Sequence, residues 1–378
     1  MLNVTVSNKK KIIISLLFLF FILLCLNPKI IIPIYKSLYT KYVRIIKSSF
    51  RNRFSKHELN IAILYAKNQG WVQDQISTDL RPFKNGISSA QIDDWFKNLQ
   101  HAQNKLVKFI VKNNQLIVDV PRELITSRAY KTVYGVIELL VQNHKMPDCK
   151  FIVSLNDYLS YIPNNWEEPV AIFSFAKHTK VPVEQTTIVI PDWMNTYYWD
   201  VLRGRINVAS YLYPWKHKKP LIHWRGGRAD SMQHRAKLIA LKNKFTFLDV
   251  GMTEGDNRVP YLYPEYSLQY KYQISLDGAR ATWERVVWQM YSNSVLIKPD
   301  SPQVQWFYKG LQAYNNYIPL EDLSEQKVLN LYNWLITNDL KVQEIISNAN
   351  VFARNNFKTQ DFFAYYVVLL EKYAKLML

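Results

Sequence analysis

Short apolar runs alternate with stretches of helical spacing from residue 116 onward, and this alternation limits the possible folds more than any other feature. The first series is Leu116-Ile117-Val118-Asp119-Val120-Pro121, Phe151-Ile152-Val153-Ser154-Leu155, Ala171-Ile172-Phe173-Ser174-Phe175 and the run 187–193, with helical spacing over 133–142. The second is Leu221-Ile222-His223-Trp224, then 245–250, 269–276, 294–298 and 317–319. Its helices are expected over 231–242, 282–291, 324–337, 339–353 and 359–376. Interleaved strands and helices predict parallel α/β sheets. Two series predict two Rossmann-like domains with a ligand cleft at the carboxyl ends of their strands. Residues 57–110 read as helical, over 57–66 and from 88 to 111, around an exposed turn at 78–88. The chain therefore divides at 1–56, 57–215, 216–355 and 356–378, the last a helix packing back on the rest.

Charge separates the N-terminus from this body. The net charge of +18 points first to nucleic acid, but its placement argues otherwise. Residues 1–60 carry eleven Lys and Arg against one acid, Glu58, which is +10 of the +18. This excess flanks residues 12–26, a run of fifteen of which fourteen are apolar, resumed at 30–35 after Asn27-Pro28-Lys29. A membrane needs roughly 20 such residues, and the two stretches together suffice if Lys29 snorkels. No small-x-small cleavage pattern follows Leu26, so an anchor is expected rather than a cleaved leader. The more basic flank lies after it, which puts the body on the cytoplasmic side, against anionic lipid. The two cysteines, Cys25 and Cys149, allow no disulfide framework and fit a reducing compartment.

One stretch of the second series has a geometry suited to anions. His223-Trp224-Arg225-Gly226-Gly227-Arg228 reads as strand, glycine turn and helix, with Asp230 or Ser231 as the helix cap. Backbone N–H groups and the helix dipole of such a turn point at a phosphate, and Arg225 and Arg228 add planar charge. The competing reading is a surface turn with two solvated arginines.

Several chemistries are excluded. The sequence has no GxxxxGK[ST], HExxH, CxxC or GxSxG pattern, and no Asp-x-Asp pair to carry a divalent metal under a nucleotide. Neutralising a diphosphate would fall to arginines and helix N-termini, without metal or other cofactor. The strand ends supply candidates: Arg225, Gly226 and Arg228 on one side, Asp277-Gly278 with Thr282 and Arg285 behind it, and Asp119 and Asp157 in the first series. Cations on one wall and a carboxylate on the other suit transfer from a phosphate leaving group. His178, His223 and His234 show no ligand spacing and read as packing or surface groups, as do most Tyr and Trp residues between 193 and 215.

Taken in order, these stretches resemble glycosyltransferase family 90, which includes protein O-glucosyltransferases, fungal capsule-associated xylosyltransferases and bacterial lipopolysaccharide-modifying proteins. The resemblance is carried by Asp79-Leu80-Arg81-Pro82-Phe83-Lys84-Asn85-Gly86-Ile87-Ser88, by Phe173-Ser174-Phe175-Ala176-Lys177, and by Trp215 with His223-Trp224-Arg225-Gly226. Lys271-Tyr272-Gln273-Ile274-Ser275-Leu276-Asp277-Gly278, Ser294-Val295-Leu296-Ile297-Lys298, Gln305-Trp306-Phe307-Tyr308 and Tyr317-Ile318-Pro319 complete it, over roughly residues 70–355. It implies a GT-B fold, a UDP-sugar donor, metal independence and inversion at the anomeric carbon. It also makes 57–215 the acceptor-side domain and 216–355 the nucleotide-sugar-binding domain. Counting back without gaps from Val136-Ile137, the family's general base falls on Asp119. Arg225 matches the diphosphate-binding arginine, and Asp277 matches a position near the donor. The sequence departs at Thr282-Trp283-Glu284-Arg285, where Glu284 occupies the family's arginine position, so that Arg285 either substitutes by a local shift or the contact is lost. The cysteines of the secreted animal members are missing.

The expectation is a membrane-anchored transferase, at a bacterial inner membrane or alternatively an endomembrane. It moves glucose or xylose from a UDP-sugar to a hydroxyl of lipopolysaccharide or of another cell-surface or lipid-linked glycan. The alternatives are a protein O-glucosyltransferase or xylosyltransferase acting on Ser, and a non-enzymatic basic membrane-surface protein. Nucleic acid is not an expected partner.

Overall fold

The computed structural model describes residues 53–100, 104–157, 159, 169–281 and 283–378. The apolar segment expected to anchor the chain lies outside them, as does Thr282. Among the described residues no helix is long and apolar enough to cross a membrane.

The first half opens with three helices, α1 (Lys56–Lys67), α2 (Gly70–Leu80) and α3 (Ser89–Asn98). Ser88 starts α3 with a capping box closed by Gln91, which fixes its entry as the sequence predicted. The helical reading through residue 111 fails. Leu106–Lys112 is strand β1, and it turns through Asn113-Asn114 into β2 (Gln115–Asp119). Both asparagines sit at positive φ, 50° and 58°, the backbone of a tight hairpin turn. A run such as Leu106-Val107-Lys108-Phe109-Ile110-Val111 suits either period, and pairing with a neighbouring strand settles it.

The rest of this half comprises α4 (Arg128–Asn143), β3 (Cys149–Ser154), β4 (Ile172–Ser174), β5 (Lys177–His178), β6 (Ile188–Val189) and α5 (Trp193–Leu212). The sheet runs β2-β1-β3-β4-β6. β3, β4 and β6 are parallel, whereas β1 is antiparallel to both β2 and β3. The sheet is thus mixed rather than all parallel, with a hairpin on its edge. The strand expected over 187–193 stops early, because Asp192 accepts from the N–H of Asn195 at 2.8 Å and starts the twenty-residue helix α5.

The turn expected at 78–88 is exposed at Arg81, Pro82, Lys84 and Asn85, but Asp79, Leu80, Phe83 and Ile87 point inward. Asp79 is fully buried. Its carboxylate receives Lys177 Nζ at 2.7 Å, the N–H of Val189 at 3.1 Å and Gln75 Nε2 at 3.1 Å. Burial pushes the Asp79 pKa up, against the pull of Lys177. This pair ties α2 to β5 and β6. Replacing Asp79 with Ala leaves a buried ammonium without its counter-ion, so the urea midpoint should fall by the equivalent of about 3–5 kcal/mol.

The second half comprises β7 (Lys219–Gly226), α6 (His234–Leu241), β8 (Leu248–Met252), β9 (Tyr270–Ile274), α7 (Arg285–Tyr291), β10 (Val295–Pro299), β11 (Gln303–Val304) and β12 (Ile318–Leu320). Helices α8 (Glu325–Thr337), α9 (Asp339–Asn356) and α10 (Thr359–Ala374) end the chain. Its main sheet is parallel, in the order β12-β10-β9-β7-β8. Counted within this half, that is strand order 2-1-3-4-5, a doubly wound sheet whose direction of winding reverses between β7 and β9. A crevice opens outside the carboxyl ends of the strands at such a point.

The halves are joined twice over. β5 pairs antiparallel with β11, Lys177 opposite Val304 and His178 opposite Gln303. Helix α10 returns to the first half, where Phe363 meets Phe54 at 4.9 Å and Tyr373 meets Phe173 at 5.2 Å between ring centroids. One apolar core therefore holds the first sheet together with α10, and a second lies within the parallel sheet.

Candidate active site

The carboxyl ends of β7 and β9 flank a cavity of about 270 Å³. β7 ends in Arg225-Gly226, and β9 leads through Leu276-Asp277 into the loop of Gly278, Ala279, Arg280 and Ala281. The first half contributes Asp157, three residues beyond the end of β3. The start of α7 supplies Glu284, Arg285 and Trp288, and Tyr261 closes another side. Trp283 seats the loop between the halves. Its carbonyl accepts from Gln305 Nε2 at 3.1 Å, and its ring packs on Phe175 and Trp193.

Four guanidinium groups face this space, but they are not equally free. Arg225 is bound to the Asp249 carboxylate and donates to the carbonyls of Asp249 at 2.7 Å and Trp224 at 3.0 Å. Burial opposes ionisation of Asp249, but the Tyr270 hydroxyl and Arg225 outweigh it and hold its pKa low. Arg280 is bound to Glu184. Arg235 donates only to carbonyls, of Gly227 at 2.8 Å, Asp277 at 3.0 Å and Leu276 at 3.4 Å. Burial, then the charge of Arg285, lowers its pKa to about 10. Arg285 donates Nη2 to the carbonyl of Arg225 at 2.7 Å, while its buried Nε has no acceptor. Burial lowers its pKa as well, with Glu284 and Tyr261 opposing. Arg235, buried, and Arg285, partly buried with its Nε enclosed, are thus cations hydrogen-bonded to no carboxylate among the described residues, the condition in which an incoming anion gains most.

Asp157, from the first half, brings a carboxylate to the same cavity. Burial raises its pKa to about 6, against Arg280 and Lys105. Its carbonyl accepts the N–H of Ala176 at 3.1 Å, which pins it to the chain leaving β4. Asp192 is raised further, to about 7, chiefly by burial, but its oxygens cap α5 and it does not line the cavity. A carboxylate with a pKa near working pH, facing open space, is equipped to take a proton.

The structure redistributes the residues chosen from sequence. Arg225, Gly278 and Arg285 line the cavity together. At the departure Glu284-Arg285, both residues line the cavity. Asp119 does not reach it. Its side chain is 57% exposed on the edge strand β2 and lies 3.4 Å from Lys108, so the base assignment there is corrected. The gap-free count behind it places the residue on the edge hairpin, away from the cleft. Arg228 also turns away: its N–H donates to Glu254 and its side chain lies against Gly255. Asp277 lies behind the wall, 2% exposed and 3.9 Å from Lys298. Gly226 is required by packing, for a Cβ there would stand 2.4 Å from the Trp224 ring. The helix after the turn starts later than expected, at His234. Gln233 is its left-handed cap residue, and Asp230 accepts from the N–H of Ala236 at 2.8 Å. His223 stacks on Tyr270 at 4.1 Å, and burial keeps it neutral. The sequence reading passed over Arg235 and Arg280. Arg235 could have been noticed as a cation at the start of the helix after a glycine turn.

The sequence model of glycosyl transferase family 90 matches residues 71–378. The chain belongs to glycosyl transferase family 90. Among curated relatives, protein O-glucosyltransferase 2 of Danio rerio is 27% identical over 320 residues, covering 80% of this chain and 62% of that protein. Human protein O-glucosyltransferase 3 is 25% identical over 325 residues, covering 80% and 61%. Bovine protein O-glucosyltransferase 1 is 24% identical over 280 residues, 67% of each. The chain therefore spans about three fifths of the length of the first two, 62% and 61%. A solved structure, Anabaena Alr3699/HepE in complex with UDP and glucose, is 14% identical over 54% of this chain and 62% of that one, at a TM-score of 0.36. That likeness is too slight to carry over a fold or a ligand.

Proposed function

We propose that this family 90 protein transfers glucose or xylose from a UDP-sugar to an acceptor hydroxyl, with inversion and without metal or cofactor. The supporting observation is that one cavity is lined by Asp157 together with the guanidinium-bearing Arg235 and Arg285, the Nε of Arg285 being buried without an acceptor. The acceptor oxygen attacks the anomeric carbon as the bond from that carbon to the β-phosphate oxygen breaks. Asp157 takes the hydroxyl proton, and UDP leaves with the bonding electrons. Arg285, Arg235 and Arg225 receive the charge gathering on the diphosphate, the electrostatic work a metal ion would otherwise perform. Because the cavity is closed on several sides by Tyr261, Trp283 and Trp288, these charges act in a medium poorer in water than the surface.

The acceptor we favour is a lipopolysaccharide or other cell-surface glycan at a membrane, which agrees with the apolar and basic N-terminal sequence. A Ser of a protein is the second reading, favoured by the curated relatives being named protein O-glucosyltransferases. Radiolabelled UDP-glucose and UDP-xylose, incubated with the full chain and with lipid, glycan and protein fractions, should label the glycan-containing fraction. Label in protein alone would favour the second reading. No UDP release with either donor and any fraction would sink the enzymatic proposal. Transfer should survive a chelator; a strict Mn²⁺ requirement would contradict the arginine-based site.

The pH dependence has a defined sign. The base works only when deprotonated, so kcat/KM should climb as pH rises through about 6 and level off above it. A plateau extending down to the ordinary carboxylate range would remove Asp157 from that role.

A further inference from the structure

Beside Asp157, a buried ion pair crosses from one half of the molecule to the other and holds no position among the diphosphate ligands. Glu184 lies on a short helical turn, Pro182–Gln185, and is 2% exposed. Its Oε2 accepts Arg280 Nε at 2.9 Å and the N–H of His178 at 2.9 Å, and its Oε1 accepts Arg280 Nη2. Arg280 belongs to the other half, in the loop after β9, and lines the cavity with Asp157. Its Nη1 donates to the carbonyl of Ala279 at 2.7 Å, and its own carbonyl accepts the N–H of Gly278 at 2.9 Å. The guanidinium plane is therefore fixed from both sides, by a two-point carboxylate from the first half and by its own loop.

We propose that Glu184 is a positioning residue that holds Arg280 across the cleft, where the Arg280 charge keeps Asp157 ionised between turnovers. This rests on the reading of Asp157 as the base. Without Glu184, the long and flexible Arg280 side chain has another attraction in the same cavity, the donor diphosphate. The bidentate contact keeps it on the base. The direction of the effect agrees with Arg280 being the foremost group that pulls the Asp157 pKa down against burial. The other charged and titratable groups facing Asp157 are Lys105, from the segment ahead of β1, and Arg225, Arg235, Tyr261, Glu284 and Arg285 on the remaining walls, with the Lys177–Asp79 pair behind β5.

The test uses the full chain and UDP release from UDP-glucose with water as acceptor, read as kcat/KM against pH. The double variant E184Q/R280Q replaces the ion pair with neutral amides of similar shape, so folding does not depend on an unpaired buried charge. Its acid limb should move up by about one pH unit. Glu184→Gln alone frees Arg280 from its place beside Asp157, so its limb should also move up, by less than in the double variant. Arg280→Lys, which keeps the charge, should stay near the parent. A general loosening of the fold would lower the rate without a graded upward displacement of the acid limb that Arg280→Lys does not share. Acid limbs that coincide in all variants, or an E184Q limb that stays at the parent position or moves down, overturn the proposal. Asp157→Asn, run alongside, separates the two levels: if it hydrolyses UDP-glucose at the parent rate, the base reading itself has failed.

Discussion

Replacing Asp157 with Asn should lower sugar transfer by about 10²–10⁴-fold, the usual contribution of a positioned general base, while UDP binds nearly as before. The amide keeps the shape of the side chain and cannot take a proton. Because Asp157 faces the arginine wall from the other half of the molecule, it adds little to diphosphate affinity and its loss should appear in kcat. Asp119→Asn is the matched control. That carboxylate is 57% exposed beside Lys108 on an edge strand, and its removal should leave transfer within a factor of about two, as expected for a surface charge. If instead Asp119→Asn abolished transfer and Asp157→Asn did not, the gap-free sequence count would be right and the cavity misassigned.

The second large effect is expected at Arg285. Its Nε is buried without an acceptor, and its Nη2 donates to the backbone at Arg225. A diphosphate arriving in the cavity supplies the missing acceptor, a charge-assisted bond of roughly 1.5–3 kcal/mol. Arg285→Met should therefore weaken UDP by about 10–100-fold in calorimetric titration. Arg285→Lys should recover only part of that, because a point charge on a flexible stem cannot reproduce the planar fork. Arg228→Met should change UDP affinity little, since that side chain lies against Gly255. An Arg285→Met protein that binds UDP like the parent would shift the diphosphate to Arg235 and Arg225.

The difference between Glu284 and Arg285 illustrates why motif alignment alone was insufficient. A helix advances about 100° per residue, so moving an arginine by one position ordinarily turns it to another face. Here both residues stand at the very start of α7, where Glu284 is the cap residue and not yet in the regular helix. A cap residue and its successor can both line the same cavity, as Glu284 and Arg285 do.

Much of the architecture was legible in the sequence. The second-half strands after Trp215 appear within a few residues of where their apolar runs lie, because a parallel sheet buried on both faces demands continuous apolar stretches. Arg225 was legible too, since strand, glycine turn and helix is a local pattern that sequence alone encodes. Local pattern could not decide the direction of β1, whose apolar run reads as helix or strand until β3 pairs with it. Nor could it bury Asp79, which looks like a turn residue until Lys177, 98 positions away, reaches its carboxylate. The site was the least local of all. Asp119 and Asp157 both follow apolar runs, and only the sheet order separates them, placing one on an exposed edge and the other against the cleft. The selection of Asp157, Arg235 and Arg285 is a property of distance and burial. These arise when two halves of the chain close on each other, so they belong to the tertiary structure and not to any stretch of sequence.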